Sequence, residues 1–539
     1  MACPIALGLE DPASAACSGT MRPDLRHTKA AAATQEDLLA QMSANLKKLR
    51  PYDQPAQPQK PLVPDAPDSA AALWLVVAGL WLLVAAGIGT LWVAQLMIPA
   101  AKLQMHFPLA FNLNIWVVLD GTRTGPGFLN AVVYGWLTNA AIGAIWFIAP
   151  RISGRRLTSN AGANVALGLW NLAVLLGLAS IFLGVLPSTG ELAEAPLPVD
   201  ALAVLALLMV NGLYWSTIGP ALRRGAYVSL LYFGIALLAF LGLYAAQSVV
   251  PLLNLDQTTT VLANDFFVRT LEAYWLLGPA VGILYYVIPR ATGNPLYSAP
   301  TALLGWVLWL VLALLSGLGK LLDPSVAYAI TTAGAVATLL LVLHAFLVVG
   351  NLLLTVRGRW SLALVPGTLA FAVVALIFLM TSAIIEGVGA LRSVQAGIAG
   401  SEWTAGAFVY AALGTYTMAG LALVNFAFPR VLRRAWSVNA LATTEFWSVW
   451  GGSLIAGAAL MLGGLAQASL LSQGTASDQI DATLVWFRLV AFGGMGLVAL
   501  GALALMIDLF LLYTAGRTVE YQVVIPQTSA STSTAVTES

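Results

Sequence analysis

Charge and cysteine are both scarce in this sequence, and each shortage excludes a class of protein. Only 9% of the 539 residues are charged, whereas a soluble globular domain carries about 25%. The two cysteines, Cys3 and Cys17, both precede the apolar part of the chain. Neither a disulfide scaffold nor a C-x-x-C-H haem-attachment motif can therefore lie within that part. There is no basic stripe with interleaved aromatic residues, which excludes nucleic acid as a partner.

Long apolar runs make up most of what remains. Hydrophobic residues are 59% of the chain, and uncharged runs recur from Leu73 to Tyr513. A membrane span needs about 20 such residues, and they must form helices because lipid cannot satisfy the backbone. The pattern predicts an all-α polytopic membrane protein with twelve spans. These lie near residues 72–98, 126–149, 162–186, 200–220, 226–250, 268–289, 301–321, 326–355, 363–390, 405–429, 444–471 and 483–513.

The loops between these spans alternate in the sign of their charge. Arginine collects in one set, as at Arg151, Arg155 and Arg156, and carboxylates collect in the other, as at Glu191 and Glu194. Short basic loops stay on the cytoplasmic side of a membrane. Twelve spans in a bacterial-type inner membrane, with both termini cytoplasmic, satisfy this rule at each loop.

The two ends of the chain differ in composition from the membrane domain, which we place at residues 71–515. Residues 1–70 are polar, and we expect a cytoplasmic tail. Within it, residues 34–49 have the leucine spacing of a short amphipathic helix on the membrane or against a partner. A tail without regular structure fits those residues equally well. Residues 516–539 are rich in Ser and Thr, and we expect a disordered cytoplasmic tail.

Several segments resemble the catalytic subunit I of the haem-copper oxidases, in particular the C-type (cbb-type) cytochrome c oxidases. The order and spacing of these segments, together with the twelve spans, extend the resemblance over most of residues 72–515. The segments are LNAVVYGWLTNA at 129–140, LYYVIPR at 284–290, Glu386-Gly387, Trp403-Thr404 and Phe428-Pro429-Arg430. The resemblance implies the helix arrangement of that subunit, a place in a multisubunit respiratory complex and, in active members, two haems and copper.

The family's chemistry depends on six histidines, of which two ligate a low-spin haem, one a high-spin haem and three a copper ion. Imidazole suits these sites because it is a neutral, directional donor. This chain has only three histidines, His27, His106 and His344. On the resemblance, the ligand positions correspond to Phe128, Arg269, Gly319, Lys320, Ala407 and Val409. We therefore expect no haem and no copper.

Each remaining histidine has an interpretation that needs no metal. His27 lies in the polar tail, and His106 follows the first span at the outer interface. His344 lies in the middle of the eighth span. It is interpreted as a neutral histidine that is hydrogen-bonded across helices, with a lone metal ligand or a proton-relay member as the alternative. Haem iron also accepts Met or Tyr, but we interpret the Met and Tyr residues in the spans as packing residues.

Ionisable residues within spans are costly and usually functional. The set comprises Arg269, Glu272, Lys320, Glu386, Arg488 and Asp508. Arg269 and Glu272 are three residues apart on a helix and can pair. Because Arg269 and Lys320 occupy positions of copper ligands, we expect a cluster in which two side-chain cations replace the metal and Glu272 and Glu386 are counter-ions. Alternatively, Arg269 and Lys320 only extend to the outer interface from the ends of their spans.

Three functions remain open. The first is a haem-free, non-catalytic structural or assembly subunit of a respiratory complex, surrounded by lipid and packed against an active oxidase subunit or a cytochrome c subunit. The second is an active terminal oxidase that passes electrons from cytochrome c to O₂, pumps protons and holds its metals through unrecognised ligands. The third is an ion or small-molecule transporter that reuses the same helices.

Overall fold

The structure, a computed structural model, describes residues 68–98, 103–108, 114–184, 190–222, 226–321, 323–436 and 439–518. The possible amphipathic helix at 34–49 and most of the predicted C-terminal tail lie outside these residues. The helices, in chain order, are α1 (Ser69–Met97), α2 (Gly121–Ser153), α3 (Asn160–Leu183), α4 (Leu197–Leu222), α5 (Val228–Leu253), α6 (Gln257–Thr292), α7 (Ala299–Lys320), α8 (Tyr328–Thr355), α9 (Trp360–Ala363), α10 (Thr368–Gly389), α11 (Arg392–Ile398), α12 (Trp403–Leu432), α13 (Asn439–Ser472) and α14 (Ser477–Ala515).

Twelve of these helices, all except the short α9 and α11, are long and apolar enough to cross a membrane. The predicted all-α polytopic fold with twelve spans is confirmed. A small antiparallel hairpin, which was not expected from the sequence, lies between α1 and α2 and is formed by β1 (Leu103–Pro108) and β2 (Asn114–Leu119).

Helix α6 begins well before its predicted start at residue 268, because its first turns are polar and look like a loop in the sequence. Asp256 caps the helix, and its carboxylate accepts a hydrogen bond from the backbone N–H of Thr259 at 2.9 Å. An acidic N-cap satisfies an otherwise unpaired N–H group and favours helix initiation. The early start adds Asp265 to the helical wall of the site described below.

Helices α2, α6 and α12 form the centre of the bundle and share an unusual local geometry. The most apolar 18-residue stretch of each is 89–100% buried. Each helix also contains a π-helical segment: Ala131–Leu137, Glu272–Leu276 and Tyr410–Tyr416. Such segments widen a helix by one residue and are frequent at functional sites.

The three central helices also converge on one another near their C-terminal ends. Phe147, Tyr286 and Phe426 form a triangle of edge-to-face ring contacts, with centroids 6.0–6.3 Å apart. Each ring comes three residues before a Pro-Arg pair, and the arginine side chain lies over that ring. Edge-to-face contacts and cation–π contacts both stabilise such a cluster. We call this end of the bundle the basic end, and the opposite end, with Glu191, Glu194 and Asp323, the acidic end.

Candidate functional site

A cavity of about 1320 Å³ lies between α2, α6 and α12 at the acidic end of the bundle. It exceeds the roughly 300–1,000 Å³ of a typical small-molecule pocket. Its described wall carries more carboxylates than cations. The carboxylates belong to Glu191, Glu194, Asp265, Glu272, Asp323 and Glu386, and the cations to Arg123, Arg269 and Lys320.

Five of the six positions that the sequence analysis matched by resemblance to ligand histidines lie in the wall of this one cavity, although they are far apart in sequence. They are Phe128, Arg269, Lys320, Ala407 and Val409. On each central helix they come shortly before the π-helical segment. The fold therefore brings these positions together around a shared space.

Phe128 takes up part of this space. Its ring is buried and stacks on Trp92, with centroids 5.6 Å apart and planes inclined by 12°. The ring also lies close to Gly89, where an added Cβ would be 2.7 Å from the Phe128 ring. A glycine in α1 thus permits the close approach of an aromatic side chain from α2.

Arg269 lies at the centre of an ionic cluster at the inner end of the cavity. Its Nη1 is 3.2 Å from Glu272 Oε2 and 2.9 Å from Glu386 Oε2. The Tyr416 hydroxyl group donates a longer hydrogen bond of 3.4 Å to Glu272 Oε1. The cluster joins α6, α10 and α12, and a guanidinium group between two carboxylates is a favourable arrangement for a buried charge.

The sixth position, Gly319, lies outside the cavity wall in a 3₁₀ turn at the end of α7. It packs against the backbone of α8, and a Cβ added there would lie 3.0 Å from the carbonyl carbon of Gly334. Its neighbour Lys320 faces the cavity and forms no ion pair with a carboxylate in the described part of the chain. Lys320 thus shares a cavity with the Arg269 cluster without touching it.

A second cavity of about 50 Å³ lies deeper in the bundle. Arg269, Glu272 and Glu386 line both cavities, and the smaller one is also lined by polar side chains that include His344 and Tyr416. His344 is fully buried, and its Nδ1 is 2.9 Å from the carbonyl oxygen of Gly305 on α7. This is the hydrogen bond across helices that the sequence analysis favours for His344.

The other histidines lie elsewhere. His106 is on β1, paired in register with Trp116 on β2, and His27 is outside the described residues.

The ionisable residues predicted in α14 also lie apart from the cavities. Arg488 pairs with Glu402 at 2.6 Å and with Asp481 at 3.1 Å. Asp508 is buried, and neither of its carboxylate oxygens has a hydrogen-bond partner in the structure.

The carboxylates in the loop between α3 and α4 are electrostatically perturbed. Burial raises the pKa of Glu194 to about 7, against the effect of a 3.0 Å hydrogen bond from Asn130 Nδ2. Burial and the nearby carboxylate of Asp265 also raise the pKa of Glu191. A carboxyl group with a pKa near neutrality can exchange a proton under ordinary conditions.

Comparison with known proteins identifies the family to which this chain belongs. A family model described as Cytochrome C and Quinol oxidase polypeptide I matches residues 69–496. The chain belongs to this oxidase polypeptide I family. It is 23% identical to the cbb3-type cytochrome c oxidase subunit CcoN1 of Stutzerimonas stutzeri, over 73% of this chain and 82% of the relative. It is 22% identical to cytochrome c oxidase subunit 1 of Rhodobacter capsulatus, over 78% and 81% of the two chains. A subunit 1 homolog from Agrobacterium tumefaciens (strain T37) is 23% identical, over 73% and 76%.

Members of the oxidase polypeptide I family normally hold haems and copper, and this chain is a multi-pass, subunit I-like member. Sequence reasoning did not assign Arg123, Glu194, Asp265 or Tyr416 to the site. The two carboxylates looked like ordinary loop charges, and only the helix packing directs them into a common cavity.

Proposed function

We propose that this chain is a haem-free and copper-free, non-catalytic subunit of a respiratory membrane complex, in effect a pseudoenzyme with the subunit I fold. The observation that carries the proposal is the chemistry of the side chains at the six ligand positions. The described residues of the large cavity wall offer carboxylates, arginine, lysine, amides and hydroxyls, but no His, Cys, Met or Tyr. Haem iron in proteins takes its axial ligands from those four residue types.

The packing at the copper-ligand positions supports the same proposal. Arg269 is engaged by two carboxylates, and the close approach of α8 to Gly319 leaves little room for an imidazole side chain. The described residues also contain no group of three His, Cys, Asp or Glu side chains suited to a metal ion. The residues present do not fit haem or copper, so we assign the chain no redox step.

The proposed location is a bacterial-type inner membrane with both termini in the cytoplasm, since the basic end then faces inwards. The proposed partners are other respiratory membrane subunits, either an active oxidase subunit or a cytochrome c subunit. Relatives named as cytochrome c oxidase subunits support this class of partner. The retained subunit I fold would then serve packing and assembly.

Purification of the native complex through a tag on this chain tests the proposal. Each subunit is quantified, and haem and copper are measured per copy of each subunit. We expect the redox subunits that co-purify to account for all haem and copper. An excess of one or more haems per copy of the tagged chain would contradict the proposal and favour the active terminal oxidase.

A second candidate function is transport of an ion or a small molecule, which the large polar cavity and its ionic cluster favour. The chain in proteoliposomes should then carry a flux that is lost in Glu272→Gln. Equal flux in the folded variant, or no flux above that of empty liposomes, would exclude transport through this cavity.

A further inference from the structure

Two cavities meet at the Arg269 cluster. The large cavity reaches the acidic end of the bundle, and the 50 Å³ cavity lies on the other side of Arg269, Glu272 and Glu386. A single buried water needs roughly 10–15 Å³ and two to four polar partners. Ser382, Thr415 and Tyr416 supply hydroxyl groups to the small cavity. It is therefore both large enough and polar enough to hold water.

His344 lines that small cavity, and its ring has an unused acceptor. A carbonyl oxygen can only accept, so the 2.9 Å contact with Gly305 requires a proton on Nδ1. In the neutral ring, Nε2 then carries a lone pair. This atom is buried and has no hydrogen-bond partner in the structure. An unsatisfied buried acceptor costs about 1–3 kcal/mol, which water or a proton at Nε2 would recover.

The charges around the small cavity favour one added positive charge. When ionised, Glu272 and Glu386 carry two negative charges against the one positive charge of Arg269. The large cavity keeps the excess, since its other carboxylates outnumber its other cations, Arg123 and Lys320; these carboxylates belong to Glu191, Glu194, Asp265 and Asp323. A cavity of about 50 Å³ has room for water but little room for an organic cation, and the described residues hold no group of three or more His, Cys, Asp or Glu side chains suited to a metal ion. A proton meets all of these constraints.

We propose that His344 is a protonatable site that is loaded from the acidic end of the bundle through water and Glu272. The step transfers one proton: an O–H bond of water or of protonated Glu272 breaks, and an N–H bond forms at His344 Nε2. The charged and titratable groups that face His344 and the small cavity are Arg269 and Glu272 from α6, Glu386 from α10, Tyr416 from α12 and Tyr232 from α5. Those that face the route in the large cavity are Arg123, Glu191, Glu194, Asp265, Lys320 and Asp323. The proposal is independent of whether the chain binds haem.

Solid-state NMR of the full chain in lipid nanodiscs, labelled with ¹⁵N-histidine, tests the proposal. His27→Gln and His106→Gln leave His344 as the sole imidazole. At high pH we expect a neutral ring with the proton on Nδ1 and magnetisation transfer from water to Nε2. On acidification, an imidazolium signal should appear. In Glu272→Gln the pH of half-protonation should fall by about one unit or more, because a nearby negative charge is lost.

Glu445→Gln is the matched control, since Glu445 is also a buried helical carboxylate but lines neither cavity. It should leave the titration of His344 unchanged. If Glu272→Gln does not fold, Tyr416→Phe replaces it and should weaken the water transfer to Nε2. A dry Nε2, a ring that stays neutral throughout the pH range of the folded chain, or a titration that Glu272→Gln leaves unaltered would each overturn the proposal. If only Tyr416→Phe can be measured, unchanged water transfer to Nε2 in that variant would overturn it.

Discussion

At the scale of single residues, Arg269 offsets the energetic cost of burying two carboxylates of the large cavity. Its side chain is only 9% exposed and is the shared partner of Glu272 and Glu386. Removing one member of a buried ionic cluster leaves the others desolvated and unpaired, at a cost of about 3–5 kcal/mol.

We therefore predict that Arg269→Gln lowers the thermal unfolding midpoint of the detergent-purified chain, followed by tryptophan fluorescence. The control is Arg357→Gln, in an exposed turn at the basic end, which should leave the midpoint unchanged. Equal midpoints for the two variants would show that the cluster contributes nothing to stability.

Glu194 adds a pH dependence with a defined sign. Its pKa is raised in the folded chain from 4.5 to about 7, so the folded state holds the proton more tightly than the unfolded state. The stability contributed by the protonated group is present below about pH 4.5 and is lost as the pH rises through about 7.

We predict that the wild-type midpoint falls relative to that of Glu194→Gln between these two pH values. Thermal melts of both proteins over this range check it. Asp478→Asn removes an exposed carboxylate and should run parallel to the wild type. A constant difference between wild type and Glu194→Gln would contradict the assignment.

Restoring imidazole at two of the ligand positions tests the correspondence that the resemblance implies. Phe128 and Val409 lie on different central helices and line the same large cavity. We predict that Phe128→His with Val409→His gives a haem-binding chain with a Soret band, because two imidazoles then face a space of sufficient size. Phe128→Ala with Val409→Ala opens the same space without ligands and should bind none. A folded double-histidine variant without haem absorption would count against these positions.

At the scale of elements, the π-helical segments of the central helices are held by paired Trp–Thr contacts. Trp136 Nε1 donates to Thr417 Oγ1 at 2.8 Å, and Thr417 donates to the carbonyl oxygen of Ala412. Trp275 Nε1 donates in the same way to Thr138 at 2.8 Å. The threonine hydroxyl group bonds a carbonyl oxygen of the π-helical segment five residues earlier in the same helix. Because it also accepts from a tryptophan, it links that segment to another central helix.

We predict that Thr417→Val destabilises the chain by about 1–3 kcal/mol, because the buried Trp136 N–H loses its acceptor. Thr417→Ser keeps the hydroxyl group and should retain most of the wild-type midpoint in thermal melts. If valine and serine were equivalent, the hydroxyl bridge would have no energetic role.

The helices were predictable from sequence because each apolar run is long and bounded by charge. The sequence also marks the three central helices, α2, α6 and α12, because each carries an aromatic-x-x-Pro-Arg pattern, at Phe147, Tyr286 and Phe426. This pattern was not recognised as a repeat from the sequence alone. The π-helical segments and the cavity depend on contacts between distant helices, such as the approach of Phe128 to Gly89. No local pattern encodes those contacts.

At the scale of the whole molecule, the chain has the polytopic all-α fold of its family, while its large cavity is lined by opposed charges. The aromatic triangle lies at the basic end, and the acidic end holds the cavity and the ionic cluster. This asymmetry is consistent with a subunit that retains its packing surfaces and has lost its redox centre, as we propose.

The reduced-minus-oxidised absorption spectrum of the chain, purified free of other subunits from cells that make haem, is the sharpest test of the proposed loss of the redox centre. We expect a flat spectrum and no copper at stoichiometric amounts in the same sample. A haem difference band with about one or more haems per chain, or stoichiometric copper, would contradict it.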